Sequence, residues 1–188
     1  DYARLAAVTH AAAKQASPRA QVGLSVASFD APYLLQAMQA MADAGTPNRF
    51  DFLCVHPYEV ADGLADPDGE IPFLWMSRLL RDALKARAPE RADAEIWITE
   101  VSRRIEKRDG VSVTEADAAK SLIKLYTLAL AQGIRCTQWF EAQDPVNEDS
   151  GFGLLDREGH ERTAYRALAT LAKHLGAAPN AIGWLALG

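Results

Sequence analysis

Apolar positions along this chain alternate between two spacings, and the alternation predicts its elements. Residues 2–16 are alanine-rich, with Leu5, Val8 and Ala12 at helical spacing, and Ser17-Pro18 stops the run. Residues 21–28 (QVGLSVAS) have strand character, and Phe29-Asp30-Ala31-Pro32 turns the chain. Pro32 suits the first turn of a helix that reaches about residue 44, with Gly45 just past its end. The stripe Leu34, Leu35, Met38 and Met41 on that helix predicts packing against a sheet. Residues 50–56 (FDFLCVH) are almost wholly apolar, as expected of a parallel strand covered on both faces. Residues 59–72, rich in Asp, Gly and Pro, predict a long loop, and a helix follows over 73–88 until Pro89. Residues 95–100 (EIWITE) then read as a strand with large β-formers in its middle and a carboxylate at its far end.

Residues 102–113 are charged and predict a loop. Thr114 stands as an N-cap with Asp117 where a capping box carries its acid, opening a helix to Gln132 that Gly133 closes. A strand over 134–140 (IRCTQWF) ends at Glu141, a loop spans 142–153, and a last helix covers 163–175 before Gly176. A helix followed by four strand–helix units predicts an α/β fold with a parallel sheet. Residues 1–178 are expected to form that unit. Residues 179–188 are expected to be a linker, with 184–187 the first strand of a following domain. The chain opens inside a helical pattern, as though cut from something longer.

Composition narrows the partners more than the chemistry. The 188 residues are 49% hydrophobic, enough for one sizeable core. The net charge of −5 gives no basic footprint for nucleic acid, and no apolar run has the roughly 18 residues a membrane span needs. Cys54 and Cys136 each sit in an apolar run, far apart, and read as buried free thiols with no metal spacing. The compartment stays open.

In parallel α/β folds, functional groups gather at the C-terminal ends of strands. Those ends offer Ser28 and Asp30; His56, Tyr58 and Glu59; Glu100 and Ser102; and Trp139, Glu141 and Asp144. Alternation puts Phe52, Cys54 and His56 on one face, and Ile96, Ile98 and Glu100 on one face, each with a polar tip. Every candidate also has a plainer reading. Glu100 alone reads equally well as a solvated strand-end acid or an ion-pair partner of Arg103 or Arg104. A lone His56 is by default a satisfied structural group, Trp139 by default core, and Glu141 and Asp144 solvated loop acids. Trp75, in a helical segment, is expected to pack, and Asn147-Glu148 to lie in a surface loop.

Four of these pieces, in order, resemble the C-terminal half of the clan A retaining glycoside hydrolases, nearest to the β-xylosidase/α-iduronidase type of family 39. Residues 50–58 (FDFLCVHPY) are similar to the sixth barrel strand with its His-x-Tyr tip. Residues 96–100 (IWITE) are similar to the seventh, and 137–140 (TQWF) to the eighth. Gly151-Phe152-Gly153-Leu154-Leu155-Asp156 with 163–168 (TAYRAL) is similar to the stretch entering the last helix. Val101 and Arg162-Thr163 depart mildly from the family pattern. The resemblance implies a fold made of strands five to eight of a (β/α)8 TIM barrel. It implies Glu100 as nucleophile, and His56, Tyr58, Trp139 and Glu141 as substrate-binding residues. An oligosaccharide or glycoside is the expected substrate, with no cofactor and no metal, in a parent protein that is secreted or periplasmic. Double displacement needs two carboxyls about 5–5.5 Å apart. The acid/base that the resemblance implies would end strand four, ahead of Asp1. A half barrel is expected to self-associate or to depend on the other half. Two alternatives stay open. One is a carbohydrate-binding or scaffold barrel without chemistry; the other is a metal-dependent (β/α)8 enzyme using His56, Glu59, Glu100 and Glu141.

Overall fold

The computed structural model describes residues 1–26, 28–108, 110–148 and 150–181. The strand expected over 184–187 therefore lies outside the described residues. Helix α1 (Tyr2–Ala16) leads into strand β1 (Gly23–Ser25), helix α2 (Ala31–Asp43) and strand β2 (Phe52–Val55). A short helix α3 (Tyr58–Ala61) precedes α4 (Glu70–Arg87), and a 3₁₀ turn (Pro89–Arg91) leads to β3 (Glu95–Val101). Strands β4 (Glu106–Arg108) and β5 (Val111–Val113) come next, then α5 (Glu115–Ala131), β6 (Cys136–Trp139) and α6 (Thr163–Leu175).

Strands β1, β2, β3 and β6 form one sheet in that order, every neighbouring pair parallel. The main helices pack on one face in sequence order, α1 on α2, α2 on α4, α4 on α5 and α5 on α6. That face holds the core. Leu24, Leu53, Val55, Ile96, Ile98 and Val101 from the strands are fully or almost fully buried against Leu34, Met41, Phe73, Leu80 and Leu84 from the helices. Local signals explain why these helices start where they do. Asp30 accepts from Tyr33 N at 2.9 Å with proline in the first turn of α2. Thr114 and Asp117 form the expected reciprocal capping box of α5.

The other face is only half covered. Phe52 stacks on Trp97 with ring centroids 4.1 Å apart, both part-exposed. Gly23 gives Phe52 its room, because a Cβ there would lie 2.5 Å from the Phe52 ring. On the outer side of β1, both Ser25 N–H and Ser25 C=O are engaged by the Tyr2 hydroxyl, at 2.8 and 2.5 Å. A side chain thus satisfies edge groups that a further strand would otherwise pair. Among the described residues, β1 and β6 each pair with a strand on one side only.

Several expectations change. The charged segment 102–113 is not all loop: β4 and β5 pair antiparallel, Glu106 with Val113 and Arg108 with Val111. Residues 59–72 are not all loop either, since α3 overlaps their start and α4 begins at Glu70. Trp75 does not pack: it is 73% exposed, because α4 turns Phe73, Met76 and Leu80 to the sheet. Leu5 and Val8 also face outward, while α1 buries the small face of Ala3, Ala6 and Ala7 together with His10. Cys54 is buried but Cys136 only partly so, near the sheet edge, and both are free thiols. No described helix is long and apolar enough to cross a membrane.

The foot of the sheet carries a charged anchor. Asp51, just before β2, accepts from Val22 N at 2.8 Å and pairs with Lys14 at 2.9 Å, with His10 Nε2 at 3.6 Å. Burial pushes its carboxyl up, but Lys14, the Val22 amide and the nearby His10 outweigh that and hold it below the usual aspartate range. A depressed carboxyl contributes stability above its unfolded pKa and loses it as pH falls through the folded value. Asp51→Ala is expected to cost about 1–3 kcal/mol at neutral pH. Urea unfolding at two pH values checks it, and the deficit should shrink below about pH 4 as wild type loses the same contribution.

Candidate active site at the strand ends

The C-terminal ends of β2, β3 and β6 open onto a cavity of about 430 Å³, lined by Tyr58, Glu100, Arg103, Arg104, Phe140 and Phe152 among others. A bulge in β3 decides what faces it. Between the partner pairs Ile98/Thr137 and Val101/Trp139, β3 takes three steps where β6 takes two. Ile96 and Ile98 point into the helical core, and so does Val101, fully buried beyond the bulge. Thr99 and Glu100 are left consecutively part-exposed. Glu100 therefore does not share a face with Ile96 and Ile98, contrary to simple alternation. The extra residue re-aims it, as bulges beside functional sites do. The face grouping of Phe52, Cys54 and His56 holds, since Phe52 stacks on Trp97 while Cys54 and His56 both meet Thr99.

Glu100 is held from β2 and its following turn. Tyr58 donates its hydroxyl to Glu100 Oε1 at 2.6 Å, and His56 Nδ1 stands 3.7 Å from Oε2. The second contact is too long for a hydrogen bond and acts as an electrostatic one. Burial raises the Tyr58 pKa, and its bond to Glu100 and the charges of Glu100 and Glu141 push it further up. Tyr58 is thus fixed as a neutral donor at any physiological pH. The Glu100 side chain remains 36% exposed, so the carboxylate is anchored on one side and open on the other. That arrangement suits a carboxylate that must meet a ligand atom.

The arginines go elsewhere. Arg103 pairs with Asp62 at 2.8 Å, and the Arg104 guanidinium sits 5.5 Å from the centroid of the Phe152 ring. Neither forms the ion pair with Glu100 weighed from the sequence. Phe152 also meets Tyr58 and Phe140 edge-on, with centroids 6.1 and 5.8 Å apart, giving the cavity an aromatic wall.

Trp139 and Glu141 are tied to that wall through the Phe152 carbonyl but do not line the cavity, and Trp139 packs partly against the core, in keeping with its plainer reading. Trp139 is part-buried and donates Nε1–H to Phe152 O at 3.1 Å, and Glu141 N donates to the same carbonyl at 3.3 Å. Ser150 Oγ lies 2.8 Å from Glu141 Oε1 and 2.7 Å from Asp144 Oδ1. Its single proton serves one of them at a time.

Asp144 is not a solvated acid. It is 2% exposed, accepts from Gly151 N and Gly153 N at 3.2 and 2.6 Å, and pairs with Arg162 at 2.5 Å. Sequence reading missed this anchor, because its cation lies eighteen residues away. Asn147 and Glu148 are exposed, as expected.

The four residues of the metal alternative do not gather as a ligand set. Glu59 instead accepts from Phe29 N at 2.7 Å. Among the described residues, Asp156, Glu158 and His160 are the group of acids and histidines close enough to share an ion. They lie on a turn in which Asp156 already accepts from the Glu158 and His160 amides.

Comparison with solved structures places the fold. A GH39 enzyme from Xanthomonas axonopodis pv. citri matches over 94% of this chain at 25% identity, with a TM-score of 0.65. A family 39 glycoside hydrolase from Bacteroides cellulosilyticus WH2 matches over 92% at 21% identity, also at 0.65. A fungal β-1,4-galactanase matches over 89% at 11% identity and 0.63. The fold is half of a (β/α)8 barrel of the glycoside hydrolase kind. The chain spans 37% of each of the first two proteins and 54% of the third. No family model matches the sequence, and no curated protein does.

Proposed function

We propose that this chain is the C-terminal half of a retaining glycoside hydrolase barrel, with Glu100 as the nucleophile. The observation that carries the reading is the Glu100 carboxylate itself. It is re-aimed by a bulge at a strand end, held by the Tyr58 hydroxyl at 2.6 Å and open to a cavity of about 430 Å³. The likeness to family 39 structures over nearly the whole chain supports it.

In this reading Glu100 attacks the anomeric carbon as a carboxylate. The bond to the leaving oxygen breaks as a glycosyl ester forms, and water then cleaves the ester. A second carboxyl from the other half of the barrel protonates the leaving oxygen and later deprotonates the water. Tyr58 holds Glu100 in place and hands its oxygen on as the ester forms. Trp139 and the Phe152 wall offer apolar surface to a sugar face, and Glu141 offers an acceptor to its hydroxyls. The substrate is a glycoside or oligosaccharide. The outer edges of β1 and β6, each paired on one side only among the described residues, are where the other half joins, at β1 with release of the Tyr2 hydroxyl from Ser25, so this chain alone, as a monomer, turns over no glycoside.

Trapping tests it. A panel of 2-fluoro glycosides with activated leaving groups, in xylo, gluco and galacto configuration, is incubated with the full-length protein that carries this chain. Peptide mapping should find the sugar on Glu100. A label on another residue, or none from a 2-fluoro sugar whose parent glycoside is turned over, removes the proposal.

A further inference from the structure

A chain of polar contacts runs across the sheet to Glu100, and for a neutral His56 proton counting selects one order along it. Cys54 and His56 lie two residues apart, at and just beyond the end of β2, and Thr99 faces both from β3. Cys54 Sγ is 2.9 Å from Thr99 Oγ1, which is 2.9 Å from His56 Nε2. On the far side of the ring, Nδ1 stands 3.7 Å from Glu100 Oε2. Cys54 is 8% exposed, so its thiol has little access to water.

A threonine hydroxyl has one proton to give and two lone pairs to receive with. Of its two neighbours here, the imidazole nitrogen is the strong acceptor and the thiol sulfur the weak one. The arrangement that uses every group has the Cys54 S–H pointing to Thr99 Oγ1 and the Thr99 O–H pointing to His56 Nε2. A neutral imidazole carries one N–H. With Nε2 occupied as an acceptor, that proton is on Nδ1, facing Glu100. The reverse order leaves a bare Nδ1 lone pair against a carboxylate oxygen and gives the Thr99 hydroxyl proton to the weak thiol acceptor.

We infer that Thr99 and Cys54 are positioning residues that set the tautomer of His56, so that its Nδ1–H is directed at the open oxygen of Glu100. Tyr58 serves one carboxylate oxygen by a short hydrogen bond. The relay serves the other by a longer electrostatic contact. In that neutral form the ring orients Glu100 without placing a full positive charge beside it, which would blunt a nucleophile. This inference rests on the reading of Glu100 as nucleophile for its catalytic meaning. The relay stands on its own distances.

The tautomer is read directly by long-range ¹H–¹⁵N spectra of the chain at a pH where His56 is neutral. The chain has four histidines, and His56→Gln assigns the signal. Wild type is expected to show His56 protonated on Nδ1, with Nε2 at the shift of an unprotonated acceptor. Thr99→Ser should keep that pattern, and Thr99→Val should move the ring predominantly to the Nε2–H form. Cys54→Val should weaken the Nδ1–H preference, and Cys54→Ser should restore it. A wild-type spectrum with Nε2 protonated overturns the inference, whether or not any variant folds. An unchanged tautomer in Thr99→Val overturns it too, and an unchanged one in Cys54→Val removes Cys54 from it. Failed sugar trapping together with an Nδ1–H His56 would remove the nucleophile and leave the relay in place.

Discussion

Glu100→Ala, made in the full-length protein, is expected to lower turnover of its glycoside by at least about 10⁴-fold, roughly 5.5 kcal/mol of transition-state stabilisation. Without a nucleophile the glycosyl ester cannot form, while the acid/base and the sugar-binding wall remain. The residual site is also roomier by one carboxylate. Azide supplied at high concentration can enter that space and attack the same carbon from the same side. It should restore part of the rate, and the product should be a glycosyl azide of inverted configuration. Substrate binding should change little, so the loss falls on kcat rather than KM. A Glu100→Ala protein that retains more than about a tenth of wild-type turnover would show that Glu100 only positions something else. Rescue by azide without a glycosyl azide would say the same.

The weight placed on Glu100 depends on a feature that strand alternation does not reveal. Its position at a strand tip is legible in residues 95–100, because the apolar run and the terminal carboxylate stand side by side in the sequence. Its direction is not. The direction comes from an extra residue in β3 relative to β6, and register between strands some forty residues apart is a property of the pair. The helices were legible for the opposite reason, since Thr114 with Asp117 and Asp30 with Tyr33 are contacts three residues apart.

The β4–β5 hairpin lies between these cases. The pair Asp109-Gly110 is a recognised hairpin signal, but the charged run Glu106-Lys107-Arg108 before it hides the alternation that Val111-Ser112-Val113 carries after it. Gly110 has a positive φ of 82°, as a tight turn requires. Trp75 shows the limit of the packing default. Large apolar residues crowd the first half of α4, and only the sheet's position decides which of them are left outside.

Asp144→Ala carries the largest expected effect on stability, about 3–5 kcal/mol, because it takes the close, buried carboxylate from the Arg162 guanidinium, whose ion pair with Glu115 is longer at 3.9 Å. Asp144 has no exposed side-chain surface and Arg162 only 10%. Deleting the carboxylate also removes the acceptor of the Gly151 and Gly153 amides. Neither glycine can be replaced to compensate, since a Cβ at Gly151 would lie 2.4 Å from Ile105 O and one at Gly153 2.2 Å from Leu155 O. For a chain of this size the loss corresponds to a fall in thermal midpoint of about 6–20 °C. Glu148→Ala, on the exposed part of the same loop, should stay within about 0.5 kcal/mol of wild type. Asp144→Leu combined with Arg162→Met should recover the part of the loss that comes from the buried charge, while the part from the Gly151 and Gly153 amides stays.

Hydrogen exchange adds a local reading. The Gly151 and Gly153 amides should exchange faster in Asp144→Ala than the core of β2 does, since the anchor fails before the sheet. The consequence reaches the cavity, because the same loop carries Phe152, whose carbonyl receives Trp139 Nε1–H and whose ring bears Arg104. An Asp144→Ala chain that loses less than about 1 kcal/mol, with both amides still protected, would mean that the loop is held by its backbone pairing alone.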